Sequence, residues 1–270
     1  MGIRFIPQAY VLETEFSPEE AIDRVHRIGI FLILLVIFGW FGGIMSFFMI
    51  FLLSPYLIVF VLVSNIFSIL CFWLVRELRY YSNDDKFNWG GLLVVIGYVM
   101  TLIGIVIVII SILPYFELEE FSFSYPEAYN LIVAFMVAIM LIGFGGLISF
   151  AGLILLVIAF YKFGEDNNES LISIGGILMI ILGGIGTLLI GIGMLQLASK
   201  ARKWIARYDE LEEIRRSIKE DIEKGKMISI EYISMLRGIP KFLLRLYISH
   251  WIKMGEIKGG RLGVAPWTTR

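Results

Sequence analysis

The apolar part of this chain has almost nothing with which to do acid–base, redox or metal chemistry. Five stretches, residues 28–54, 56–75, 90–113, 128–160 and 171–197, contain no Asp, Glu, Lys or Arg. Spans without an ionisable group offer no proton relay, ion site or catalytic residue. Cysteine is reduced to Cys71, which excludes an intrachain disulfide and a cysteine-built metal centre. In the middle of a run, that residue reads as small apolar packing. The only histidines, His26 and His250, lie in separate regions and suggest no shared metal site. A cleavable leader is not expected either. The first apolar run follows a mixed-charge segment, exceeds an h-region in length and has no small-residue cleavage site, so it reads as a first span that doubles as insertion signal.

What the chain does have is apolar length. Each run is long enough for the roughly 20 helical residues that cross a bilayer, and the 58% hydrophobic content and mean hydropathy of +0.83 agree. The expected architecture is an all-α membrane bundle of about five transmembrane helices plus a small C-terminal domain. Residues 1–27 form an interfacial segment, 28–199 the bundle and 200–270 a cytoplasmic tail. Ser17-Pro18-Glu19-Glu20 reads as a helix start with a capping box, and Ser54-Pro55 as the turn between the first two spans. Sliding the chain over itself by about 85 residues sets Ser82-Asn83-Asp84 against Asn167-Asn168-Glu169 and Gly90-Gly91 against Gly175-Gly176, which suggests a repeated hairpin. Three small-residue sets, Gly39/Gly43, Gly145/Ser149/Gly152 and Gly183/Thr187/Gly191, read as helix-packing stripes.

The loop 114–127 carries Glu117, Glu119, Glu120 and Glu127, five aromatics and no Lys or Arg. Its aromatics read as an interfacial belt, and its carboxylate spacing fits no known cation loop. Orientation by charge ties in a five-span arrangement. Arg24, Arg27, Arg76, Arg79, Lys86 and Lys162 fall on one side; Lys200, Arg202, Lys203, Arg207, Arg215 and Arg216 fall on the other. An even number of spans would gather all twelve on one side, and would require 171–197 to re-enter.

The tail reads as a charged helix from Lys200 with Leu211, Ile214, Ile218 and Ile222 on one face. A short strand at Met227-Ile228-Ser229, a short helix closed by Gly238, a third helix opened by Pro240 and a hairpin beyond Gly255 follow. That order, with Ile239-Pro240 before the third helix and Met254-Gly255-Glu256-Ile257-Lys258-Gly259 entering the wing, resembles small winged helix-turn-helix domains. In such domains the third helix and wing are the usual binding surface. The resemblance makes Lys241, Arg245, Ser249 and Lys253, with Lys258 and Arg261 in the wing, the candidate partner-binding residues. That basic stripe could meet a protein partner, anionic lipid headgroups or nucleic acid, or be a solvated face; tethering beside the bilayer favours the first two over DNA. Winged helices mostly work in the cytoplasm, so the tail is expected inside.

The membrane part, through Gly90-Gly91-Leu92, Gly175-Gly176-Ile177 and residues 148–162, resembles an archaeal multispanning family, the domain of unknown function numbered 996. That resemblance implies an archaeal membrane protein and no activity. Without an acid, base or metal site in the spans, no enzyme is expected, and no cofactor. The expectation is a membrane-anchored interaction or assembly module in the cell membrane. Two alternatives stand beside it: a small transporter, channel or lipid-handling protein, and a membrane-tethered DNA-binding regulator.

Overall fold

The structure, a computed structural model, describes residues 17–52, 55–112, 125–224 and 229–256. Every element in it is a helix, and no strand occurs among the described residues. Helix α1 (Pro18–Leu52) starts where the capping signal puts it, with the Glu20 N–H donating to Ser17 Oγ at 3.2 Å. The Glu20 carboxylate does not fold back to complete a box; it takes the Arg24 guanidinium at 3.2 Å. The charged first turns and the apolar run are therefore one helix. Next come α2 (Pro55–Val75), a 3₁₀ turn (Arg76–Leu78), α3 (Arg79–Ser82), α4 (Lys86–Ile112) and α5 (Tyr125–Asp166). Helices α6 (Ser170–Leu182), α7 (Gly184–Ile205), α8 (Tyr208–Glu223), α9 (Ile230–Arg237) and α10 (Lys241–Lys253) complete the chain.

Among the described residues four segments, Val59–Ser82, Lys86–Ile112, Ala128–Asp166 and Gly184–Ile205, are by length and composition alone long and apolar enough to cross a membrane. Neighbouring helices pack antiparallel at glycine contacts. A Cβ on Gly90 would lie 2.9 Å from the Gly152 carbonyl oxygen, and one on Gly145 would lie 2.6 Å from that of Gly97. Helices α4 and α5 thus approach backbone to backbone, as small residues allow in lipid. The Gly145/Ser149/Gly152 stripe lies in this contact. Gly39 has nothing within reach of an added Cβ, and the side chains of Phe31 and Phe38 meet Phe67 instead, at 5.6 and 5.1 Å between ring centroids.

The run 171–197 is not one span. It breaks at Gly183 (φ 37°, ψ −90°), and α6 and α7 fold back on each other. A Cβ on Gly175 would meet the Gly186 oxygen and Ile190, and one on Gly193 would meet Ile172. Gly183 is therefore the hairpin turn and not a packing position, because its positive φ suits a residue without a Cβ. The two ends of the hairpin meet in the Lys200–Glu169 ion pair at 2.5 Å. At 1.5 Å per residue the 13 residues of α6 span only about 20 Å.

Helix α7 passes without a break from its apolar part to Ile205, as the absence of Gly and Pro from 196–203 suggests. The charged helix expected from Lys200 is divided at Ala206 and Arg207 into the end of α7 and a separate α8. In α8, Leu211, Ile214 and Ile218 are buried as their spacing requires. Gly238 (φ 69°) and Gly255 (φ 71°) end α9 and α10 at the expected places. The strand expected at 227–229 and the wing at 257–264 lie largely or wholly outside the described residues, with Lys258 and Arg261; so does the acidic loop at 114–124.

The two loops that face the tail are built alike, 85 residues apart. Asn83 and Asn168 both take left-handed backbone, at φ 54° and 53°. Ser82 Oγ donates to the Leu78 oxygen, and Asn167 Nδ2 to that of Phe163, each at 2.9 Å. Asp84 and Glu169 are buried carboxylates that hold lysines. The second glycine of each pair faces the preceding helix at equivalent places: Gly91 at Phe72 and Arg76, Gly176 at Val157 and Tyr161.

Candidate functional site

Antiparallel packing brings the polar end of every helix to one face of the bundle. There α1 meets the 3₁₀ turn after α2 through Arg24 and Glu77 (2.7 Å), and meets α7 through Asp23 and Arg202 (2.8 Å). Burial alone would pull Arg24 down, but its hydrogen bonds to Glu77 and Glu20 outweigh that and hold the guanidinium above its ordinary pKa. Arg76 donates twice to Asn88 Oδ1 and lies 4.4 Å from the Trp73 ring centroid. Every lysine and arginine among the described residues lies at this face or in the tail beyond it.

The tail is clamped onto that face. Lys241 bridges Asp166 at the end of α5 (2.9 Å) and Glu231 in α9 (2.8 Å), with its side chain only 10% exposed. Phe242 N–H donates to Asn167 Oδ1 at 2.9 Å, and Arg245 Nη1 to the Ser82 carbonyl oxygen at 3.1 Å. The same two loop positions that repeat in the chain thus receive consecutive turns of α10. Trp204 Nε1 donates to the Gly238 oxygen at 3.1 Å, which fixes the α9–α10 turn against α7. Beneath these polar contacts, Phe242, Leu243 and Leu246 join Phe163, Leu197 and Ala201 in one continuous hydrophobic core. At Glu231, burial raises the carboxyl pKa, but the bonds from Lys241 and its own backbone outweigh this and leave it below the usual range.

The positions expected to bind a partner therefore divide. Lys241 and Ser249 are buried, and Arg245 is half-buried with its guanidinium on the bundle; this stripe faces the protein's own loops. Lys253 is exposed at the end of α10. The sequence shows the stripe but not its direction, because α10 is buried on nearly all sides.

A second feature is an open cavity of about 460 Å³ beside the α3–α4 loop, lined by Asn83, Asp84, Asp85, Lys86, Trp89, Leu155 and Lys162. Asp84 caps α4 by accepting from the Lys86 N–H at 3.0 Å. Its carboxylate holds the Lys86 ammonium at 3.3 Å and that of Lys162 at 3.7 Å. Sequence reading missed this site, since Lys162 is separated from Asp84 by two long helices; only the spacing of α4 against α5 joins them. Among the described residues no three His, Cys, Asp or Glu side chains gather as metal ligands.

No curated protein and no solved structure matches the chain. One family model does, over residues 20–234, and so reaches from the start of α1 through the bundle and α8 into α9. It is not the family numbered 996 that the glycine patterns resemble. The chain belongs to the family described as "Protein of unknown function (DUF973)".

Proposed function

We propose that the protein is a membrane-anchored assembly module, in which a rigid bundle holds a docked helical tail at the cytoplasmic face to receive a protein partner. The observation that carries this reading is the shared core of tail and bundle: α7 runs unbroken into the tail, and α10 is pinned to both repeated loops. A domain fixed in height and angle suits docking. Its outward side exposes Tyr232, Met235 and Leu236 on one face of α9, at 60%, 72% and 64%. Large apolar groups at such exposure, away from the spans, are what a protein partner covers. The order α8, α9, α10 supports the three-helix part of a winged helix.

The topology behind this reading has four crossings, by α1, α2, α4 and α5, with α6–α7 re-entering. The hydrocarbon core is about 30 Å thick, so a tip about 20 Å along α6 stops inside it. All twelve basic residues that tie in a five-span arrangement then share one side, and residues 53–54 and 113–124 include no Lys or Arg. The positive-inside rule makes the tail side cytoplasmic. The likeness of the two loops supports reading α2–α4 and α5–α6 as copies of one hairpin.

The test is photo-crosslinking from position 232 in native membranes, with and without replacement of Met235 and Leu236 by Ser. A defined crosslinked protein that disappears in the double variant, while α10 stays protected from protease, is the expected result. Crosslinks to lipid alone would contradict the reading. One observation favours a transporter instead: a helix pair broken in mid-bundle at Gly183 is a device of substrate paths. Flux through proteoliposomes that is abolished by Gly183→Val would favour that class. Among the described residues no observation favours the DNA-binding alternative, since Lys241 and Arg245 of its basic stripe face the bundle.

A further inference from the structure

We propose that the cavity between α4 and α5 is a phosphate-binding site for an amphiphile, with Lys86 and Lys162 as the binding groups. Asp84 is a pinned anchor: its side chain is 7% exposed and held by the α4 cap, and it draws two ammonium groups from different helices to one point. Each ammonium has three donors and spends at most two on Asp84, so at least one donor on each lysine is left for a ligand. Lys86 and Lys162 are 41% and 59% exposed, which leaves them reachable.

The charge balance selects the ligand. Two lysines and Asp84 leave one net positive charge, and exposed Asp85 on the rim offsets it. A singly charged phosphodiester meets less repulsion there than a dianionic phosphate does. Asp85 is also placed to meet the cationic part of a zwitterionic headgroup. The walls change character with depth. The lysines lie at the loop level, while Trp89 and Leu155 lie one to two turns further into the helices, where an exposed indole marks the membrane interface. A polar top over an apolar wall matches a phospholipid headgroup with its chain beneath, and basic pockets between helices at this level hold such groups. The equivalent carboxylate 85 residues on, Glu169, is instead paired with Lys200 alone. The site is thus a feature of the first loop and not of the repeat. It does not depend on the tail having a partner.

The experiment uses the full chain in detergent micelles, with binding read by native mass spectrometry and by the thermal midpoint. The probes are short-chain phosphatidylglycerol, short-chain phosphatidylethanolamine, a phosphate-free diacylglycerol, glycerol 3-phosphate and inorganic phosphate. Both phospholipids are expected to bind, and K86Q/K162Q to weaken them at least about tenfold, the loss expected from about 1.4 kcal/mol of charge-assisted bonding. K219Q, on the exposed face of α8, serves as the unchanged control. K162Q alone, at an exposed position, keeps the test sound if the double variant misfolds, and should weaken binding measurably. Glycerol 3-phosphate or inorganic phosphate binding as tightly as the lipids would assign the same site to a soluble phosphate. Equal binding of the phosphate-free amphiphile, or equal phospholipid binding by the lysine variants, would overturn the proposal.

Discussion

Lys241→Met removes one ammonium from between two carboxylates and leaves the methylene stem in place. Asp166 and Glu231, whose side chains are 25% and 28% exposed, then face a thioether in a region that water only partly reaches. A hydrogen bond to a charged group contributes about 1.5–3 kcal/mol. Two are lost, and partial rehydration of the carboxylates returns part of that, so the docking of α10 should weaken by about 2–4 kcal/mol. Only the tail should loosen, because the bundle keeps its own α4–α5 and α1–α7 contacts. Hydrogen exchange of the α10 amides is the direct assay, and a tenfold change in the open population corresponds to about 1.4 kcal/mol. Exchange of 243–249 should accelerate roughly 30-fold to several hundredfold, with the amides of 90–104 unaffected. The pH dependence gives a second signature. Glu231 has a depressed pKa in the folded protein, so its contribution is present above the ordinary carboxylate value and is lost as pH falls through the depressed one. In Lys241→Met the burial that raises Glu231 is no longer outweighed by the lysine, so the acid-side loosening that Glu231 contributes in the parent should shrink or disappear. Unchanged α10 exchange and an unchanged pH profile would refute the clamp.

Other consequences follow from the same geometry. Gly97→Val would drive a side chain into Ser149 and the Gly145 backbone, costing more than about 3 kcal/mol, whereas Gly143→Ala, with open space around it, should be neutral; thermal midpoints in micelles distinguish them. Gly183→Ala must hold a positive φ and should lower stability by about 1–2 kcal/mol, read from the same midpoints. Tyr81 is buried, and its hydroxyl has no hydrogen-bond partner among the described residues, so Tyr81→Phe should leave the midpoint unchanged or raise it by up to about 1–2 kcal/mol of stability.

The sequence carried the membrane class, the start of α1 and the ends of α9 and α10, because each rests on local chemistry: charge-free length, Ser17, Pro240, Gly238 and Gly255. It did not carry the break in 171–197. Gly183 sits at the same i, i+4, i+8 spacing as Thr187 and Gly191, and a packing stripe and a turn look identical in a charge-free run. The direction of the Lys241 stripe was hidden for a related reason. Phe242, Leu243, Leu244, Leu246 and Ile248 leave α10 apolar nearly all round, so the few polar positions between them could point to water or to buried partners. The cavity at Asp84 depends on which helix lies beside α4, and periodicity does not encode that.

In the proposed topology, re-entry at Gly183 gathers every charged end, and the tail, on one cytoplasmic side. In a Cys71→Ser background, single cysteines at Asn83, Thr269 and Phe121 can be challenged with a membrane-impermeant thiol reagent in intact cells. Asn83 and Thr269 should both be protected until the membrane is opened, while Phe121 is labelled from outside. Labelling of Asn83 with protection of Thr269 would mean five full crossings and would contradict it.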